Sequence, residues 1–167
     1  MGRRIFLSFK PTPDRFIARL PMAEISEVEG DVVELLSMAE EIYGIYIARM
    51  KNLVNEINEL RKLKKFSARV AWVLGDLIFE LRDRLGALSF QLDGIYEHLT
   101  RDLGANKKWL EKVVILRRYL PDKEMIPPDL KWGYFEHSTR RKAEQLREDY
   151  YRTECRDGDA LLPRDAG

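Results

Sequence analysis

Along the first half of the chain, apolar residues return at alternating steps of four and three: Val32, Leu36, Ala39, Tyr43, Tyr46, Met50, Leu53, Ile57 and Leu60. This 3.5-residue repeat is what a left-handed coiled-coil seam requires. From Glu24 onward no proline interrupts it for about forty residues, and Gly30 and Gly44 stand alone, so one long helix is expected over residues 24–65. At 1.5 Å per residue, the run from 31 to 64 would span roughly 50 Å, more than a small domain usually buries. Leu35, Ile42, Ile45 and Ile47 widen the stripe beyond a bare seam. Two readings follow: an oligomerisation helix that pairs with a second copy, or a core helix packed inside its own chain. A homodimer is the expectation.

The remaining pattern is also helical. Ahead of the long helix, in an N-terminal arm over residues 1–23, Ile5 to Phe9 reads as a short strand or extended arm closed by Pro11-Thr12-Pro13. After the basic run Arg61 to Lys65, a second helix is expected from about Ser67 to Arg84. Its inner face is Val70, Val73, Leu74, Leu77, Ile78 and Leu81, and Gly86 ends it. Another helix starts at Ser89 or Phe90 and carries Leu92, Ile95, Tyr96 and Leu99. A further one follows Leu103-Gly104-Ala105-Asn106 and runs to Leu120, where Pro121 stops it. Pro121 to Gly133 reads as a loop or a wing, Tyr134 to Arg152 as a last helix, and residues 153–167 as a polar, disordered tail. The expected fold is mainly α: a long N-terminal coiled-coil-like helix, then a helix-turn-helix domain, with or without a wing, over residues 66–152.

Composition agrees with a folded chain, since 45% of residues are hydrophobic and 34% charged, which excludes general disorder. The net charge of +1 conceals an uneven distribution. Asp31 to Leu60 holds six acids against two bases; Arg61, Lys62, Lys64, Lys65 and Arg69 follow with no acid; Arg101 to Arg152 holds thirteen bases against nine acids. The single cysteine, Cys155, excludes a disulfide framework or a thiolate cluster and favours a reducing, cytoplasmic setting. No apolar run reaches the roughly 18 to 20 residues that span a bilayer, so no membrane partner is expected.

The local signal with most functional content lies between Tyr96 and Lys112. Leu99, Leu103, Leu110 and Val113 have the spacing of a helix-turn-helix with Gly104 at the bend. Glycine accepts the left-handed backbone that ends a first helix, and Asn106 is a good N-cap for a second. The second helix is expected to stand proud of the surface and to enter the major groove of double-stranded DNA. Lys107, Lys108, Lys112, Arg117 and Arg118 would meet phosphates, and Asn106 and Trp109 are candidate base readers, although an aromatic at position 109 is more often a packing residue. The Arg61 to Lys65 run would add backbone contacts, and Arg140-Arg141-Lys142 would either do the same or form a solvated face. In a dimer, two such heads about 34 Å apart would meet successive major-groove faces.

The stretches Trp72-Val73-Leu74-Gly75-Asp76-Leu77-Ile78, Leu99-Thr100-Arg101-Asp102-Leu103-Gly104, Arg117-Arg118-Tyr119-Leu120-Pro121 and Leu130-Lys131-Trp132-Gly133 carry a resemblance. Over about residues 66–150 the chain resembles the N-terminal domain of a bacterial family of uncharacterised PD-(D/E)XK nucleases. That resemblance implies a winged-helix-like domain that binds or targets DNA. The nuclease half is absent from the pattern, as is the long helix, so no nuclease activity is implied.

Catalytic patterns are weak. His98 and His137 are far apart, no cluster has metal-ligand spacing, and neither a phosphate-cradling glycine loop nor a nucleophile elbow occurs. His98 reads as a surface or packing histidine. The expected function is therefore a non-catalytic DNA-binding protein without cofactor or metal, serving transcription, plasmid partition or a mobile-element or defence system. The rival is a helical subunit of a larger nucleoprotein complex, docked on another protein.

Overall fold

The computed structural model describes residues 5–9, 16–19, 25–88, 90–93 and 95–161, with side chains at 34, 37–88 and 95–154. The chain is mainly helical. Strands β1 (Ile5–Phe9) and β2 (Phe16–Arg19) precede α1 (Ile25–Lys62) and α2 (Ala68–Ala87). Strand β3 (Phe90–Asp93) and helices α3 (Ile95–Leu103), α4 (Lys107–Tyr119) and α5 (Thr139–Leu161) follow.

The long helix folds onto its own chain. Ala39, Tyr43, Tyr46, Met50 and Ile57 are buried, Leu53 and Leu60 half-buried, and α1 packs on α2 and α3. The seam expected to hold a second copy is thus occupied, at every position whose side chain is described, by intramolecular neighbours. The side chains of Val32 and Leu36 lie outside the described residues. The reason is the stripe's width: Ile47 and Val54 are buried with the heptad positions, so the apolar face suits a bundle rather than a two-helix seam. Two tyrosines tie α1 to its neighbours. The Tyr46 hydroxyl donates to Glu80 Oε2 of α2 at 3.0 Å, and burial raises its pKa first, with the Glu80 hydrogen bond adding to it. The Tyr43 hydroxyl donates to Asp102 Oδ2 of α3 at 2.5 Å. His98 Nε2 lies 3.0 Å from the same oxygen. His98 is only 3% exposed, so of the two roles read for it, packing holds.

Ser67 starts α2, its hydroxyl accepting from the Val70 amide at 3.4 Å. Gly75, in the middle of α2, faces α4 so closely that a Cβ there would collide with the backbone carbonyl of Val113.

Three differences from the expected elements have physical causes. Phe90-Gln91-Leu92-Asp93 is a strand, not the start of a helix. Its apolar–polar alternation has the strand period, and it pairs parallel to β1 in a sheet of order β2-β1-β3. Residues 121–138 form no wing. Pro121, Pro127 and Pro128 withhold backbone donors, and the segment makes 3-10 turns at Lys123–Met125 and Trp132–Tyr134 plus one isolated bridge, Ser67↔Lys131. Finally, residues 153–161, expected in a disordered tail, continue α5 to Leu161, where no proline or glycine pair interrupts the run before Pro163.

Candidate nucleic-acid interface

Helices α3 and α4 meet across a three-residue turn. Gly104 takes φ +64°, which ends α3 in the left-handed region. Asn106 caps α4: its Oδ1 accepts from the Lys108 amide at 2.8 Å and the Trp109 amide at 3.3 Å. Leu99, Leu103, Leu110 and Val113 are buried between the two helices and the rest of the core.

Helix α4 does not stand proud. Leu110, Val113, Val114 and Leu116 are all buried, and α2, α3 and α5 each pack against it. Apart from Arg118 near its end, the open part of α4 is its first turn and a half, which changes the standing of the cations assigned to it. The Lys107 ammonium is held by Glu97 of α3 at 2.5 Å. That hydrogen bond lowers the Glu97 pKa and raises the lysine's. Arg117 turns inward: its Nε sits 2.7 Å from Asp76 Oδ1 of α2. Its guanidinium lies 4.4 Å from the centre of the Phe79 ring and 5.4 Å from that of Trp72. With side-chain exposures of 18% and 24%, Arg117 and Asp76 form an internal clamp and not a phosphate contact. Arg140 pairs with Glu144 at 3.3 Å and covers the Tyr119 ring. Arg118 and Arg141 are exposed, but Arg118 is about 15 Å along the helix from Lys108. Asn106 uses its carbonyl oxygen on the cap and so is not free to read a base through it.

Lys108, Lys112 and Trp109 remain, and these come together. With Val54, Asn58 and Arg61 of α1, they line a cavity of about 420 Å³ under the 104–106 turn. Positions 54, 58 and 61 follow one stripe of α1, and 108 and 112 follow the facing stripe of α4. A second cavity of about 440 Å³ adjoins it through Arg61 and Glu136, with Lys64, Phe66, Lys131 and Trp132 on its walls. Backbone bonds hold that wall: the Trp132 amide donates to the Phe66 carbonyl at 3.1 Å, and the Ala68 amide to Leu130 at 2.8 Å.

The result is one groove between the end of α1, the start of α4 and residues 131–136. Among the described residues, no ion pair takes Arg61, Lys64, Lys108, Lys112 or Lys131. Glu136 is the one acid on its walls. Arg61 is fixed by aromatic faces, 4.9 Å from the Trp109 ring centre and 5.1 Å from that of Phe66. Lys64 takes φ 56° at the end of α1. There the Lys65 amide bonds the Leu60 carbonyl at 2.8 Å and the Lys64 amide bonds Arg61 at 3.0 Å, a Schellman motif whose left-handed position normally prefers glycine.

No family model, curated protein or solved structure matches the chain. Among the described residues, no three His, Cys, Asp or Glu side chains gather as a metal site, and no helix is long and apolar enough to cross a membrane. The sequence pattern assigns Arg61 and Lys64 to a basic run that adds backbone contacts beside the main helix, and it does not single out Asn58 or Lys131. Asn58 carried a usable signal, one turn before Arg61 on the same stripe; Lys131 joins through backbone pairing distant in sequence, which no local pattern encodes.

Proposed function

We propose that the chain is a non-catalytic, cytoplasmic DNA-binding protein that grips the sugar-phosphate backbone along this groove. The observation that carries the reading is five cations with no carboxylate partner among the described residues, Arg61, Lys64, Lys108, Lys112 and Lys131, around one concavity on a chain whose net charge is only +1. Unpaired cations clustered over low-dielectric aromatic walls concentrate positive potential, and a polyanion is the ligand that releases most counterions on meeting them. The resemblance of residues 66–150 to a DNA-targeting domain supports the same reading, and the α3–α4 turn supplies one edge of the grip. The scaffold is the chain itself, because the described seam residues of α1 face α2 and α3. Arg118 and Arg141 are outlying cations in this scheme, and Lys107, Arg117 and Arg140 are structural.

The test is an anisotropy titration of a labelled DNA duplex at two salt concentrations. Lys108→Glu with Lys112→Glu lowers affinity roughly tenfold or more while leaving the helical circular dichroism unchanged. Unaltered affinity in that variant rejects the reading.

A second reading, a helical subunit of a nucleoprotein complex, has one observation in its favour. Met38 and Ile45, seven residues apart on the outer face of α1, are 43% and 49% exposed.

A further inference from the structure

Building on that DNA-binding reading, we infer that the groove takes an unpaired stretch of the DNA strand, with bases against its aromatic wall and phosphates on its cationic rim. Shape is the first reason. The two cavities, about 420 and 440 Å³, have the size of small-ligand pockets; the first lies between α1 and α4, and the second between the end of α1 and residues 131–136. A duplex is a convex rod whose bases are stacked out of reach, so it touches only the rim of such a concavity. A single strand, or nucleotides spread from a duplex end, presents flat bases that fit inside.

The chemistry of the wall is the second reason. Trp109, Phe66 and Trp132 form a continuous aromatic row, with Phe66 6.3 Å from each neighbour, ring centre to ring centre. Phe66 and Trp132 are buried, and the half-buried Trp109 is the ring that a base can reach from the groove. Phosphate recognition alone needs cations and amides, not aromatic rings; base stacking needs rings, and combining the two is how sequence-tolerant single-strand binders work. Arg61 serves both ends, since its guanidinium already lies against two rings and is without a carboxylate.

The experiment compares three DNA probes on the intact protein: a blunt duplex, the same duplex with an unpaired tail of a few nucleotides, and the tail sequence as a free single strand. The expected result is about tenfold tighter binding of the tailed duplex than of the blunt one, the gain that one stacked base supplies. The free strand should also quench tryptophan fluorescence. Lys131→Glu, at an exposed position on the second cavity, should cut affinity for the tailed duplex about tenfold. Trp109→Phe should retain part of the preference and Trp109→Ala lose it; circular dichroism checks the fold of each variant. Equal affinity for blunt and tailed duplexes overturns the inference but leaves the DNA-binding reading intact. Failure of all three probes to bind overturns both.

Discussion

The two ends of α4 have nearly the same cationic content and opposite surroundings. At the C-terminal end, Arg117 is clamped by Asp76 and two aromatic rings. There Trp72 Nε1 donates to the Leu120 carbonyl at 2.6 Å, and Tyr119 lies beneath Arg140 and Arg147 of α5. At the N-terminal end, Lys108 and Lys112 face a groove with no carboxylate partner, across from Arg61 of α1. A basic residue on a helix therefore says little about partners until its neighbours are known. Where a carboxylate and rings surround it, the cation is part of the core's edge; where it meets other unpaired cations over a cavity, it is available to an anion.

The largest effect that separates the two ends concerns the packing behind the first. Gly75→Ala pushes a methyl group into the Val113 carbonyl. It should cost about 3 kcal/mol of stability, a loss read by chemical denaturation that outweighs the roughly 1 kcal/mol gained in helix propensity. A smaller loss is expected for Arg117→Gln, which leaves Asp76 half-buried without its cation. About 1–2 kcal/mol of stability should go, with DNA affinity held within about twofold, since no phosphate contact is removed. The smallest effect has the opposite sign. Lys64→Gly relieves the left-handed lysine at the end of α1 and should raise stability by about 1 kcal/mol, while weakening DNA binding through loss of one rim charge.

The helices were largely readable from the sequence because their signals are local. Apolar spacing places α1, α2 and α4, and Gly104 with Asn106 marks the α3–α4 turn by residue chemistry alone. Strand Ile5–Phe9 was readable from its flanking prolines, but only as one of two options. What the sequence could not convey was pairing. The stripe on α1 is equally suited to a second copy or to α2 and α3, and only the folded chain shows which neighbours cover Tyr43, Tyr46 and Met50. Phe90–Asp93 is too short for its period to be distinguished from helix, and its assignment comes from β1, whose paired residues are 85 positions away. The candidate site suffered most. Lys107 and Arg117 look identical to Lys108 and Arg61 in sequence, and their difference lies in Glu97, Asp76 and the aromatic rings brought in from other elements.

The measurement that bears most directly on the central claim is the salt dependence of DNA affinity in two neutralised variants, Lys108→Gln with Lys112→Gln and Lys107→Gln with Arg140→Gln. Each pair removes two positive charges, so net charge alone predicts equal effects. At about 0.9 per phosphate contact, the log–log slope should become shallower by almost 2 in the groove variant and stay close to that of the unaltered protein in the paired-cation variant. Equal changes in the two variants, or no change in the groove variant, would contradict the account.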